Sequence, residues 1–185
     1  MSMEHEPSGP EKRRLAAVVF ADVAGFSRLM AQDDLWTSKR WKLLREDLLL
    51  PLLERHEGRL VETAGDAILL EFKSIVAALN WALDTQSSLR SVASEEDEDP
   101  LQLRISVNVE DVLVHGENIF GDGVNIASRI HDAAEPGQIV VTSLVRELVG
   151  NRANVRFIDL GVSVLIKRFL ASIRGLVGRV RWPAR

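Results

Sequence analysis

The chain has 185 residues, a formal net charge of −4 at pH 7 and no cysteine. This length suits one domain with a full hydrophobic core, and the lack of cysteine excludes disulfides and thiol chemistry. The acidic balance argues against nucleic acid as a partner. The N-terminal residues lack an apolar signal core, and no apolar run reaches the roughly 18 residues of a membrane-spanning helix. We therefore expect a cytoplasmic protein.

The first half of the chain begins with charged residues and then turns apolar. Residues 1–13 are rich in charge, Pro and Gly, which predicts a disordered leader. Residues 15–20 form a short apolar run, which predicts a central strand that ends at Asp22. A helical pattern follows over residues 33–56, and Pro51 should kink or split it.

A hairpin pattern comes next. Residues 59–63 and 67–72 are strand-like and flank the turn Ala64-Gly65-Asp66. Ser74 is a plausible N-cap for a helix that follows it. The other predicted elements are strands over 101–109, 112–114, 138–142 and 155–160 and helices over 75–89, 124–134 and 143–149. This order predicts an α+β fold with a mainly antiparallel sheet and helices on its outer face.

Two aspartates carry most of the chemical information. Asp22 and Asp66 each follow an apolar strand and lie close to a glycine. Two carboxylates on neighbouring strands can hold a pair of hard divalent cations, the usual apparatus for displacement at a phosphoryl group. Taken singly, each has an ordinary alternative, because aspartate is common in caps and hairpin turns. The four histidines match no zinc-ligand spacing and are interpreted as surface or structural residues.

Four segments in order resemble the catalytic domain of class III nucleotidyl cyclases, the adenylate and guanylate cyclases. They are residues 13–27 with Phe20-Ala21-Asp22, 58–66 with Thr63-Ala64-Gly65-Asp66, 119–129, and Ala134-Glu135-Pro136-Gly137. The resemblance predicts a domain over 14–161. It implies a ferredoxin-like βαββαβ core, and conversion of ATP or GTP to the 3′,5′-cyclic monophosphate and pyrophosphate.

The resemblance also implies roles for individual residues. Asp22 and Asp66 would bind two Mg²⁺ or Mn²⁺ ions. The backbone N–H groups of a short turn would bind the triphosphate, and Gly25 would permit its close approach. The turn consists of Val23, Ala24, Gly25 and Phe26.

Asn125 and Arg129 are four positions apart and share one helix face. By resemblance, they orient the ribose and neutralise charge that grows on the α-phosphate. Their structural alternatives are a local cap and a surface salt bridge. In the family the two halves of each site come from different protomers, which implies a head-to-tail homodimer with sites at the interface.

Two positions bear on the purine base. Adenylate cyclases usually carry a lysine where this chain has Glu62, and an aspartate or threonine where it has Asn118. A carboxylate cannot donate to N1 of adenine, but it can accept from N1 and N2 of guanine, while an amide can donate to O6. These residues therefore favour GTP.

Other departures leave alternatives to an active enzyme. The Gly-rich strand of the family appears as residues 105–112, where two glycines are lost and Glu110 should enter a crowded place. The alternative is a degenerate domain that dimerises or binds nucleotide as a regulatory module. A further alternative is a heterodimer with another cyclase chain, to which this chain supplies the metal side.

Residues 162–185 form a basic tail with six basic and no acidic residues. Their apolar residues fall at helical spacing, so we interpret the tail as an amphipathic helix that lies on an anionic membrane or on a partner helix. The alternative is a helix packed on its own domain. Lys167 is the nearest candidate for the phosphate-binding lysine of the family, offset by one position.

Overall fold

The computed structural model describes residues 12–92, 100–115, 118–120, 127, 130–153, 155–159 and 164–168. The strands are β1 Lys12–Val23, β2 Gly58–Ala64, β3 Ala67–Phe72, β4 Leu103–His115, β5 Asn118–Phe120, β6 Ile139–Val141, β7 Val155–Asp159 and β8 Val164–Arg168. The helices are α1 Phe26–Gln32, α2 Asp34–Leu44, α3 Leu50–Arg55, α4 Ile75–Val92 and α5 Ser143–Val149. A π-helical turn, Arg45–Leu49, joins α2 to α3, and a 3-10 turn, Gly150–Arg152, follows α5.

The strands form one sheet in the order β2-β3-β1-β4-β6-β8-β7, and β5 pairs with β4. The β4–β6 pairing is parallel, and the other pairings are antiparallel. The predicted α+β fold with a mainly antiparallel sheet is confirmed.

The central strand β1 is buried on both faces. Ala17, Val19 and Ala21 belong to the main core, which also contains residues of α2, α3, α4 and α5. Ala16 and Val18 point the other way, into a smaller cluster that includes Ala127. Because neither face is solvated, the strand reads as a continuous apolar run rather than an alternating one.

Several boundaries differ from the sequence prediction. The strand β1 begins at Lys12, inside the predicted leader, and α1 was not predicted. The two strands predicted over 101–114 are one continuous strand, β4. Pro51 does not break the helix, because it lies in the first turn of α3, where a missing N–H costs little. The irregularity comes just before it, as the π-helical turn. Ser74 does cap α4, since its Oγ accepts from the N–H of Ala77 at 3.3 Å.

The helical interpretation of the C-terminal tail is wrong for residues 164–168. These residues form β8, which pairs with β6 and β7, and Ile166 lies opposite Ile139. A short apolar run satisfies strand and helix patterns equally, so its period cannot separate them. Residues 1–11 and 169–185 lie outside the described residues. The prediction that the tail lies on a membrane concerns residues in the second of these ranges and stays a prediction. In the part of the chain that is described, no helix is long and apolar enough to cross a membrane.

Candidate active site

The fold brings Asp22 and Asp66 together at one end of the sheet. Asp22 is near the end of β1, and Asp66 is in the turn between β2 and β3. Since β1 pairs with β3, with Ala21 opposite Ile68, the two aspartates are close neighbours. The backbone N–H of Val23 donates to Oδ2 of Asp66 at 3.2 Å. The fold therefore brings the two aspartates to the same end of the sheet, and their metal role stays a prediction.

The two carboxylates repel each other. Burial raises the pKa of Asp66, and the negative charge of Asp22 raises it further, against the opposing effect of backbone hydrogen bonds that include the one from Val23. A cation placed between the two groups would relieve this repulsion.

Asp22 is held by a cation that belongs to the chain itself. Arg104 Nε donates to Oδ1 of Asp22 at 3.0 Å, and Arg104 Nη2 donates to Oδ2 at 2.6 Å. This is the two-pronged geometry that makes arginine–carboxylate pairs strong. Burial by itself would raise the pKa of Asp22. The contacts with His131 and Arg104 outweigh burial, and the pKa lies below its ordinary value.

His131 is the second group on Asp22. Its Nε2 lies 2.9 Å from Oδ1 of Asp22, and its ring packs edge-on to Phe20 with the centroids 4.9 Å apart. The ring is 2% exposed. Nε2 does not reach hydrogen-bond geometry, so it is the packing of the buried ring that holds it against the carboxylate. His131 is therefore a buried structural residue, one of the two roles expected for the histidines, and it lies beside the candidate site.

A third residue supports the Asp66 turn. Trp41 on α2 donates from Nε1 to the carbonyl of Gly65 at 3.2 Å. Gly65 has φ +63°, a left-handed conformation that favours glycine. The indole and the glycine together fix the turn that presents Asp66. Sequence reasoning missed Trp41, Arg104 and His131, because all three contacts join residues far apart in the chain.

The donor set fits a divalent cation of the magnesium type. Mg²⁺ is usually bound by one or two carboxylates, with phosphates and water as its other ligands, and Asp22 and Asp66 supply two carboxylates. Among the described residues, no group of three or more His, Cys, Asp or Glu side chains could form an all-protein cage. Arg104 contacts both oxygens of Asp22, so a cation there must share or displace the guanidinium.

The predicted phosphate-binding turn is partly used for other purposes. The N–H of Val23 donates to Asp66, and the N–H of Ala24 donates to the carbonyl of Gln102 at 2.8 Å. Assigning these two groups to a triphosphate does not match this arrangement. Because the N–H groups of Val23 and Ala24 already have partners, only Gly25 and Phe26 remain as candidates for binding the triphosphate. Gly25 has φ +70° and precedes α1.

The remaining predicted residues are placed unevenly. Glu62 is exposed on β2, next to a register shift between Leu60 and Glu62. Asn118 begins β5 and Lys167 lies on β8, but the positions of their side chains are not among the described features. Asn125 and Arg129 lie outside the described residues.

The side chains that replace family glycines on β4 are accommodated within the chain. Ser106 is buried, and its Oγ donates to the carbonyl of Ala127 at 2.7 Å. Glu110 is only partly buried and accepts from Nδ2 of Asn108 at 3.1 Å. The crowding expected at Glu110 is therefore not seen in the single chain.

Known proteins show the same domain. The family described as the adenylate and guanylate cyclase catalytic domain matches residues 10–163. A Rhizobium meliloti (strain 1021) protein named as an adenylate cyclase is 38% identical over 155 residues, which is 81% of this chain and 26% of that protein. The chain thus spans about a quarter of that relative.

Solved structures agree. The crystal structure of an adenylate/guanylate cyclase/hydrolase from Silicibacter pomeroyi is 34% identical, has a TM-score of 0.76, and covers 85% of this chain and 96% of that chain. A non-canonical dimeric guanylyl cyclase domain of a fusion protein from the fungus Blastocladiella emersonii shares the fold at 21% identity, with a TM-score of 0.70 over 84% of this chain and 95% of that chain. The chain therefore belongs to the family of adenylate and guanylate cyclase catalytic domains.

Proposed function

We propose that this domain converts a purine nucleoside triphosphate into its 3′,5′-cyclic monophosphate and pyrophosphate, for cyclic-nucleotide signalling. The observation that carries the proposal is the meeting of Asp22 and Asp66 at one end of the sheet, where Val23 bridges the strand and the hairpin. In the reaction, the ribose 3′-oxygen forms a bond to the α-phosphorus and loses its proton, and the bond from the α-phosphorus to pyrophosphate breaks.

The residues of the chain would divide the work. Asp22 and Asp66 would hold two Mg²⁺ or Mn²⁺ ions. When bound, these ions supply positive charge next to the triphosphate and lower the pKa of the ribose 3′-hydroxyl. Gly25, which lacks a side chain, would permit close approach of the backbone to the phosphates.

The site is proposed to be completed by a second copy of the chain. Asn125 and Arg129 of the partner protomer would orient the ribose and neutralise charge on the α-phosphate. The homodimer is proposed from membership of the cyclase family, in which each site takes residues from two protomers.

We propose GTP as the preferred substrate. Glu62 is exposed on β2, the strand that leads into the Asp66 turn. Its carboxylate can accept from N1 and N2 of guanine, and the amide of Asn118 can donate to O6. Glu62 is exposed in the single chain, so the partner protomer would have to cover it. A pocket built on matched, buried hydrogen bonds then discriminates by about 10⁴-fold or more, because the wrong base leaves polar groups unpaired.

The direct test is product formation by the purified chain from ATP and from GTP, each with Mg²⁺ and with Mn²⁺, followed by chromatography of the nucleotides. We expect cyclic GMP in excess over cyclic AMP. Absence of any product from a folded dimer would contradict the enzyme proposal. Retained nucleotide binding in that case would favour the regulatory module, an alternative supported by the neutralisation of Asp22 by Arg104.

The Glu62→Lys variant tests the purine assignment. A lysine donates where Glu62 accepts, so we expect the ratio of kcat/KM for GTP over ATP to fall by about 100-fold or more. The control is Glu54→Lys, the same charge change at an exposed position on α3, which should leave the ratio unchanged. An unaltered GTP preference in Glu62→Lys would rule out this role for Glu62.

A further inference from the structure

We propose that Arg104 is an internal counter-cation of Asp22. Its guanidinium must leave the Asp22 carboxylate before a divalent cation can bind there. Arg104 would thereby set the metal affinity of the site. We make this inference on the basis of the proposed function, which takes Asp22 as a metal ligand.

The contact between the two residues is built into the sheet. Asp22 on β1 and Arg104 on β4 are directly opposite each other in the antiparallel register. The guanidinium covers both carboxylate oxygens, at 3.0 Å and 2.6 Å. A divalent cation needs one of these oxygens as a ligand. Arginine and metal therefore compete for the same atoms.

The partial exposure of the Arg104–Asp22 pair allows the Arg104 side chain to move away from Asp22. Its side chain is 28% exposed, and that of Asp22 is 15% exposed, so the pair is not sealed in the core. Asp132 is nearby and its side chain is 84% exposed. The pKa of Arg104 is raised first by its hydrogen bond to Asp22, and the charges of Asp132 and Asp66 contribute to the rise. A released guanidinium thus stays in the negative field of Asp132 and Asp66.

Release also has an energetic consequence for metal binding. The apparent affinity of a ligand is reduced by the fraction of molecules in the competent state. A two-pronged arginine pair keeps that fraction low. His131 shares Oδ1 of Asp22 with Arg104, lies 2.9 Å from it and is buried, so it would stay beside the carboxylate when the guanidinium moves away. It would keep the carboxylate oriented after Arg104 leaves.

The test is Mn²⁺ binding to the full chain without nucleotide, measured by electron paramagnetic resonance of the free ion. The variants are Arg104→Gln and Arg104→Lys, and the control is Arg146→Gln, an exposed arginine on α5 that pairs with Asp159. We expect Arg104→Gln to lower the Kd for Mn²⁺ about 10-fold. Arg104→Lys should lower it to a smaller extent, because it keeps the charge and loses the two-pronged contact. Arg146→Gln should not change it.

The lysine variant separates displacement from a general change of charge, and it carries the test if Arg104→Gln does not fold. Equal or weaker Mn²⁺ binding in the folded Arg104 variants would overturn the proposal. Asp22→Asn distinguishes this failure from failure of the proposed function. Loss of Mn²⁺ binding in Asp22→Asn with unaltered affinity in the Arg104 variants refutes only the role of Arg104. Unaltered binding in Asp22→Asn refutes Asp22 as a metal ligand, and with it both proposals.

Discussion

Replacing Asp22 by asparagine should reduce cyclic-nucleotide formation by about 1,000-fold or more, a loss typical when a group that stabilises charge in the transition state is removed. Asparagine keeps the size of the side chain but removes the negative charge, so it is a poor ligand for Mg²⁺ or Mn²⁺. The measurement is kcat with saturating nucleotide and Mn²⁺, together with the Kd for Mn²⁺.

The same variant should lose a moderate amount of stability. Asparagine keeps a side-chain oxygen that can accept from Arg104, so we expect a loss of about 1–3 kcal/mol of unfolding free energy, the usual range when one partner of a partly buried hydrogen bond is weakened. The matched control is Asp47→Asn, at an exposed position of the π-helical turn, which should retain full activity. If Asp22→Asn kept more than a tenth of the turnover while folded, the assignment of Asp22 as a metal ligand would be wrong.

Trp81→Ala should give the largest loss of stability, about 3–5 kcal/mol of unfolding free energy. Trp81 on α4 is fully buried, and its ring is 6.1 Å from that of Phe72. Its Nε1 donates to the carbonyl of Leu49 at 3.4 Å, which ties α4 to the π-helical turn. Alanine would leave a cavity between the helices and the sheet and would remove this hydrogen bond. Chemical denaturation monitored by far-UV circular dichroism measures the loss.

Trp36→Ala is the matched control. Trp36 is only partly buried, and the guanidinium of Arg40 lies over its ring at 5.9 Å. Arg40 is buried, and a desolvated cation–π contact contributes about 2 kcal/mol, so this variant should lose less stability than Trp81→Ala. Similar losses in the two variants would show that Trp81 does not anchor α4 in the core.

Much of the fold could be predicted because its signals are local. The apolar run of β1, the hairpin around Gly65 and the Ser74 cap each depend on neighbouring residues, and the structure contains all three. The candidate aspartates could be found for the same reason, since each follows a strand and lies close to a glycine. Elements could not be predicted from sequence where one apolar pattern suits both a helix and a strand. Residues 164–168 are such a case, because their helical spacing predicted a helix and they form the strand β8.

The amino-acid sequence by itself determined which side chains could do the chemistry, because strand ends, turns and charge are properties of short segments. Only the tertiary structure decided what surrounds Asp22. Its contact with Arg104 joins residues 82 positions apart, and its contact with His131 also joins residues that are distant in the sequence. Strand register, the product of many weak packing preferences summed over the whole sheet, aligns Asp22 with Arg104. No local pattern encodes that alignment, so the internal cation of the site becomes visible only in the folded chain.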